Sequence, residues 1–489
     1  MLKSIQTLID ALDVHQIRYC HWKSNEHLKE ALDGETDLDV LFDPIQRVEL
    51  ELVLDGCGLK RFRSTPLMQY NAIEDFIGFD KETARIWHLH THYRMTLGEK
   101  HLKGYTVNPW TQLILDNRRM DEQGIYCSAC EDELVLLLVR MAMKLRWRDI
   151  GKKIGKDDCV EMRWLVEHTS RDEFFEHAVV FVGEKAASEM NRLLSGKTLT
   201  KKGQLRKLHN ILHKELKFFT GFTWLGSRWM RHKRELFWGI GAIKRRLGIN
   251  SNVPYRRVSP NGGNVIAFLG CDGAGKSTTL AYVKNELNKK LDVCTVYFGS
   301  GDGSSSLLRK PMKFVANKVS GKGLGDAVAK EYNEKRSVSL KSRLYSFAKI
   351  IWAVTLAKEK KSKIKYLTKA RNNGLIVLTD RYPQTLYPGC SDGPLLSKYV
   401  GKGLLGRLSL WEHRIYASAA FNPPDLTVKL VVPTNIAIDR KPEMRIDEIE
   451  TKKQIVMGVK MSENTIIVDT SRPFAETRAE IMEAIWKIV

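Results

Sequence analysis

The sequence predicts an α/β protein. A carboxy-terminal domain has a parallel sheet and flanking helices, an amino-terminal domain is α/β, and a helical segment lies between them. Three observations carry the prediction. VIAFLG at 265–270 is an apolar run that breaks at glycines and continues as a helical pattern, STTLAYVKNELNKKL. TDLDVLFD and ARIWHLHTHYRM alternate with period two, as half-buried strands do. Residues 116–250 show helical spacing with few strand signals.

In chain order, SIQTLIDALDVHQI opens residues 1–115 as an amphipathic helix, and the two alternating runs follow it. Residues 116–250 form the helical, basic segment. Residues 251–263 read as a linker, because NVPYRRVSPNGGN at 252–264 supplies Pro, Gly and Asn. Residues 264–489 form the last domain. The longest apolar stretch, LVLLLVRMAMKL at 134–145, is too short to span a bilayer and contains Arg140. No secretory pattern opens the chain, so a cytoplasmic protein with reduced thiols is expected. Of eight cysteines only Cys127 and Cys130 form a CxxC pair, and no second pair completes a zinc set. The net charge of +22 points to polyanionic partners: nucleotides, nucleic acid or an acidic membrane.

Residues 270–277 fit G-x4-G-K-[ST], with a strand before and a helix after. Gly270, Gly273 and Gly275 let the backbone turn tightly against a phosphate. The exposed amides and the helix N-terminus make an anion nest. Gly270, Gly273, Ala274, Gly275, Lys276, Ser277 and Thr278 are the expected ATP-binding set. Lys276 bridges the β and γ phosphates, and Ser277 ligates Mg2+. In GLIVLTDRYPQTLY at 374–387, Asp380 ends a second buried strand, where ligands of open parallel sheets bind. It is the second expected Mg2+ ligand. Arg381 follows, and its guanidinium fork suits a monophosphate.

Asp272-Gly-Ala-Gly-Lys-Ser-Thr, Asp380-Arg381-Tyr382 and PPDLTVKLVVPTNIAIDRK at 423–441 together resemble the thymidylate kinase family of P-loop kinases. The resemblance spans 264–489. It implies that Asp272 lies near the acceptor, that Arg381 holds the acceptor phosphate, and that Arg440, Lys441 and Arg445 belong to a lid. Two stretches depart from the family. TVYFGSGDGSSS at 295–306 lacks an Arg-Glu-Pro turn, and PQTLYPGCSDGPLLSKY replaces the stretch that lines a thymine pocket. The phosphate machinery is kept and the thymine pocket is not recognisable. Asp392 and Glu412 are then the candidates for reading the acceptor.

HWKSNEHLKEALDGETDLDVLF at 21–42 resembles the polymerase-β type of nucleotidyltransferase fold, with Ser24 in the turn and Asp37-Leu-Asp39 on the strand. The resemblance implies a pair of Mg2+ ions around a nucleotide triphosphate. Lys23 stands where that family has Gly. His88, His90 and His92 share a strand face where a third carboxylate is expected, so they read as metal ligands, phosphate contacts or a polar sheet face.

Residues 201–257 hold fifteen Lys or Arg against Glu215 and Glu235, interleaved with Trp224, Trp229 and Trp238. They read either as a segment that touches an anionic membrane surface, at the inner membrane face, in preference to nucleic acid, or as a domain-joining helical layer whose Trp residues are core and whose charges are solvated. Two functions compete. One is a Mg2+- and ATP-dependent kinase acting on a nucleoside monophosphate or related phosphorylated metabolite, bifunctional if the amino-terminal domain transfers nucleotides. The other is an ATP-dependent binding or signalling module in defence or surface-polymer assembly. Arg381 favours the kinase, because a switch ATPase needs no acceptor clamp.

Overall fold

The computed structural model describes residues 1–195, 199–299, 340–390 and 392–489. The chain divides into two compact units. The first is Met1–Gly248 with Tyr255–Arg257, and the second is Ile249–Pro254 with Val258–Val489. The architecture is mixed α/β, as the sequence predicts. Among the described residues no helix is long and apolar enough to cross a membrane.

In the first unit the chain runs α1 (Lys3–Val14), β1 (Tyr19–His21), α2 (Leu28–Leu32), β2 (Asp37–Phe42), α3 (Arg47–Gly56), β3 (Lys60–Ser64), β4 (Ile73–Asp80) and β5 (Arg85–His92). The short pair β6 (Met95–Leu97) and β7 (Tyr105–Val107) leads to α4 (Asn108–Asp116), β8 (Arg119–Met120) and β9 (Tyr126–Cys127). The helices α5 (Cys130–Met143), α6 (Lys156–Glu167), α7 (Arg171–Ser195), α8 (Arg206–Glu215) and α9 (Trp224–Arg246) follow. With β10 (Arg257–Val258) at one edge, the main sheet has the order β10-β3-β4-β5-β2-β1-β9-β8.

Strand alternation sorts this sheet. Leu38, Val40 and Phe42 of β2 join Trp87 and Leu89 of β5 in a core with Ile5, Leu8, Leu12, Leu50 and Leu54 of α1 and α3. Leu41 points the other way and enters a helical core with Trp22, Leu134, Leu138, Phe174, Ala178, Leu208 and Leu212. Helix α5 is buried on nearly every side because α6, α7 and α8 pack around it. Residues 116–250, read as a separate segment, thus share a core with the first block. β2 and β5 run parallel with Asp37 opposite His88 and Asp39 opposite His90.

The second unit contains β11 (Val265–Gly270), α10 (Lys276–Asn288), β12 (Val293–Tyr297), α11 (Leu340–Asn372), β13 (Ile376–Asp380) and α12 (Gly403–Ala417). It ends with β14 (Leu426–Val431), α13 (Thr434–Arg440), α14 (Ile446–Gly458), β15 (Thr465–Asp469) and α15 (Phe474–Ile488). Its five strands are all parallel, in the order β12-β13-β11-β14-β15. The apolar run of β11 is buried because the strand is central and covered on both faces. From β11 the chain moves outward to β12, and from β13 it crosses over β11 to β14. The connections therefore diverge between β11 and β13, and a crevice opens at their carboxyl ends. Of the stretch TVYFGSGDGSSS at 295–306, residues 300–306 lie outside the described residues.

Candidate functional site

The glycine turn after β11 is built by close approach. A Cβ on Gly273 would fall 2.6 Å from the Ala437 carbonyl, and one on Gly270 would fall 2.9 Å from that of Leu430. Gly273 and Gly275 also adopt left-handed φ of 80° and 81°, so glycine is required twice over. Gly275 caps α10, whose first turn carries Lys276, Ser277 and Thr278, the last two exposed. Lys276 is buried, and its Nζ donates to the carbonyls of Gly270 and Cys271 at 2.9 and 2.8 Å. Burial first, and then the Arg381 charge, lower its pKa. Ala274 is fully buried under the loop.

Strand β13 delivers Asp380 beside this loop, in register with Phe268. Its Oδ1 is buried and has no hydrogen-bond partner among the described residues, and burial raises the carboxyl pKa. Arg381 takes a left-handed φ of 68°, rare for a non-glycine residue, and its amide donates to the Phe268 carbonyl at 3.0 Å. That twist turns the side chain between two carboxylates. Its guanidinium nitrogens lie 3.7 Å from Asp272 Oδ1 and 3.7 Å from Asp392 Oδ2. Asp392 is itself left-handed and is held at 2.7 Å by Lys360, a fully buried ammonium of α11. Asp272 also pairs with Lys452 of α14.

The structure thus brings Asp272, Lys276, Asp380, Arg381 and Asp392 together at the divergence of β11 and β13. Arg440, Arg445 and Glu412 are placed differently from these five. Arg440 donates to the carbonyls of Gly273 and Thr470, so it braces the back of the glycine loop. Arg445 is exposed and pairs with Asp447 two residues on. The Glu412 carboxylate accepts from the amides of Leu395 and Leu396 at 3.0 and 2.7 Å, which fastens the 392–396 turn. Lys360 and Lys452 had no motif to mark them; their only sequence signal is a Lys within a helical run.

The residues present fit the phosphate and the magnesium ion that the motif implies. The Asp380 carboxylate oxygen, buried with no hydrogen-bond partner among the described residues, suits a cation, and the Lys276 ammonium, held by two loop carbonyls, suits a phosphate. Two cavities of this unit, of about 510 and 400 Å3, lie away from the glycine loop. The first is lined by Thr368, Lys369 and Phe421, and the second by Asn264, Arg371 and Asp425.

In the first unit, Ser24 sits in the turn with a left-handed φ of 59°. Asp39 is bound by Lys23 Nζ at 3.0 Å, by His90 Nδ1 at 2.8 Å and by His92 Nε2 at 3.4 Å. Asp37 lies 3.0 Å from His88 Nδ1. A carboxylate that the strand pattern did not reveal, Asp75 of β4, takes the other His88 nitrogen at 2.9 Å and Arg257 Nε at 2.7 Å. Deeper in the same unit, Glu26, Glu133 and Glu161 converge, with Arg140 paired to Glu161 at 2.6 Å.

No family model matches the chain. It is 25% identical over 226 residues to an uncharacterized ATP-binding protein, YghR, of Escherichia coli (strain K12), covering 45% of this chain and 86% of that protein. It is 29% identical over 211 residues to a second uncharacterized ATP-binding protein of the same strain, YghS, covering 43% of this chain and 83% of that one. These similarities are to ATP-binding proteins.

Proposed function

We propose that the second unit is a magnesium- and ATP-dependent phosphotransferase whose acceptor is a nucleotide or another phosphorylated metabolite. The relatives named as ATP-binding proteins support the donor. The observation that carries the transfer is Arg381, strained and aimed between Asp272 and Asp392 beside the glycine loop. In this reading Lys276 leaves its two loop carbonyls for the β and γ phosphoryl oxygens. Ser277 and Asp380 would hold the magnesium ion, which would supply charge neutralisation for the transferring group. Arg381 grips the acceptor phosphate, and Asp272 orients the acceptor. Lys360, by fixing Asp392, fixes where the guanidinium points.

The test is ADP release by the purified chain against a panel of nucleoside monophosphates and sugar phosphates. One class of acceptor should stimulate release. Arg381→Lys should raise that acceptor's KM and lower kcat by about tenfold or more, with ATP affinity unchanged, because Lys loses the bidentate fork. ATP hydrolysis that ignores every acceptor and is indifferent to Arg381→Lys would make the chain a binding or signalling module.

A second observation favours a membrane-surface role for 201–257. Along α9, Leu225, Trp229, Leu236, Ile240, Ile243 and Leu247 recur on one helical face and are 39–72% exposed. The opposite face is the packed one. Arg234 donates to the Gln69 and Leu102 carbonyls, and Gly241 lies against Tyr255. Arg228, Lys233, Lys244 and Arg246 flank the apolar stripe. A second copy would meet it with like charges, whereas an anionic bilayer meets it with opposite ones. Sedimentation with anionic vesicles, weakened by salt and lost in Leu236→Glu, is the expected result. Failure to pellet would refute it.

A further inference from the structure

The loop that follows Arg381 is fastened by buried polar side chains. Gln384, buried, donates through Nε2 to the carbonyls of Tyr387 and Cys390 at 3.0 and 2.8 Å, and its Oε1 accepts from the Tyr387 amide at 2.8 Å. A Cβ on Gly393 would fall 2.1 Å from the Tyr387 carbonyl, so the turn closes tightly on itself. Glu412 of α12, fully buried, takes the next two amides, those of Leu395 and Leu396. Lys360 of α11, also buried, donates to Asp392 Oδ1 at 2.7 Å. Side chains of the loop, of α11 and of α12 thus fix one carboxylate, on a residue with a left-handed φ of 65°. Burying so many polar groups is costly, and it is the kind of support that a recognition group needs.

Lys360 takes only one of the two Asp392 oxygens. The other, Oδ2, is buried and has no hydrogen-bond partner among the described residues. Arg381 Nη1 stands 3.7 Å from it, too far for a hydrogen bond. Asp392 and Asp272 each have an ammonium of their own, Lys360 and Lys452, so neither depends on the guanidinium for its counter-charge. A carboxylate oxygen accepts and cannot donate, so what Oδ2 lacks is an O–H or an N–H. The site for that donor adjoins the guanidinium that grips the acceptor phosphate, and the closeness sorts the donors. A hydroxyl on a carbon near the phosphate ester reaches Oδ2 while its phosphate is on Arg381. The amino group of a nucleobase, set apart from its phosphate by a whole ribose, does not. A hydroxyl bonded to Oδ2 also offsets the repulsion between that carboxylate and the incoming phosphate.

We propose that the acceptor is a sugar phosphate, and that Asp392 reads it by accepting a hydrogen bond from a hydroxyl close to the phosphorylated carbon. This rests on the phosphotransferase reading of the second unit and narrows its acceptor. The test is steady-state ADP release by the full chain with glucose 6-phosphate, glucose 1-phosphate, ribose 5-phosphate, AMP and UMP, and then with the monodeoxy analogues of the best of them. A sugar phosphate should be the best acceptor. Removing one particular hydroxyl should lower kcat/KM about tenfold or more in the parent, because the site is left with an unpaired buried group. In Asp392→Asn the amide oxygen faces Lys360, which can only donate, so the amide nitrogen takes the place of Oδ2; the same deletion should then cost about threefold at most. Thermal melting checks that the variant is folded, and the parent's deoxy series decides by itself if it is not. Deoxy analogues all as good as the parent acceptor would overturn the proposal. So would a loss in Asp392→Asn that is equal for the hydroxylated and deoxy acceptors, which would make Asp392 only a support for Arg381, or a nucleotide that outperforms every sugar phosphate. Each of these leaves the phosphotransferase standing. Release that no acceptor stimulates would overturn the phosphotransferase reading and this proposal with it.

Discussion

The glycine loop of the second unit and the Asp39 cluster of the first are made of the same residue types and differ in what those residues already hold. Lys276 donates to two neutral carbonyls, and Asp380 keeps a buried oxygen with no hydrogen-bond partner among the described residues. Asp39, in contrast, is saturated by an ammonium and two imidazoles, and Asp75 by an imidazole and a guanidinium. Motifs name side chains. The partners those side chains have already taken decide what a site can still accept.

The largest effect that would break this contrast is on turnover. Lys276→Ala should lower ATP-dependent transfer by about a thousandfold, on the order of 4 kcal/mol of barrier, and leave the melting temperature near the parent's. Steady-state ADP release measures it. Parental turnover would mean that the loop lysine is as idle as the carboxylates of the first unit.

Next in size is the support of the acceptor clamp. Lys360 is 1% exposed, pairs with Asp392 at 2.7 Å, and lies 5.0 Å over the Tyr416 ring. Lys360→Met strands a buried carboxylate and should cost roughly 3 kcal/mol in denaturant unfolding of the second unit. It should also weaken acceptor binding, because Arg381 loses a fixed neighbour. A variant as stable as the parent would show that Asp392 accepts water in place of Lys360.

The smallest effect sharpens the first unit's side of the comparison. Burial and the neighbouring Glu161 raise the Glu133 carboxyl from 4.5 to about 7. The folded chain therefore binds more protons than the unfolded one between about pH 4.5 and 7, so this group's contribution to stability falls as pH rises through that window. The drop is about 3 kcal/mol at most. Glu133→Gln removes the titration, and the stability difference between variant and parent should grow in the variant's favour from pH 5 to pH 8. A pH-independent difference would mean that Glu133 stays charged in the folded protein.

Much of the second unit's site is local, and so was legible. A buried strand, a glycine turn and a helix start are fixed within about fifteen consecutive residues, and Asp380-Arg381 follows directly from the end of an apolar run. What the motifs left open are the contacts made across sequence. Lys360 meets Asp392, Lys452 meets Asp272, and Arg440 grips the Gly273 carbonyl from 167 residues away. Glu412 had the character of a substrate reader and proves to be a fastener of backbone amides.

The sequence by itself determined the α/β class, the phosphate-loop geometry and the placing of Asp37 and Asp39 on one strand face, because each depends on short-range periodicity and on glycine's access to left-handed backbone. Only the tertiary structure decided which charges neutralise which. It put His88, His90 and His92 across from the aspartates and added Asp75 from the neighbouring strand. The reason is physical: Coulomb energy depends on distance and on burial, and neither can be read along a chain until the chain has folded.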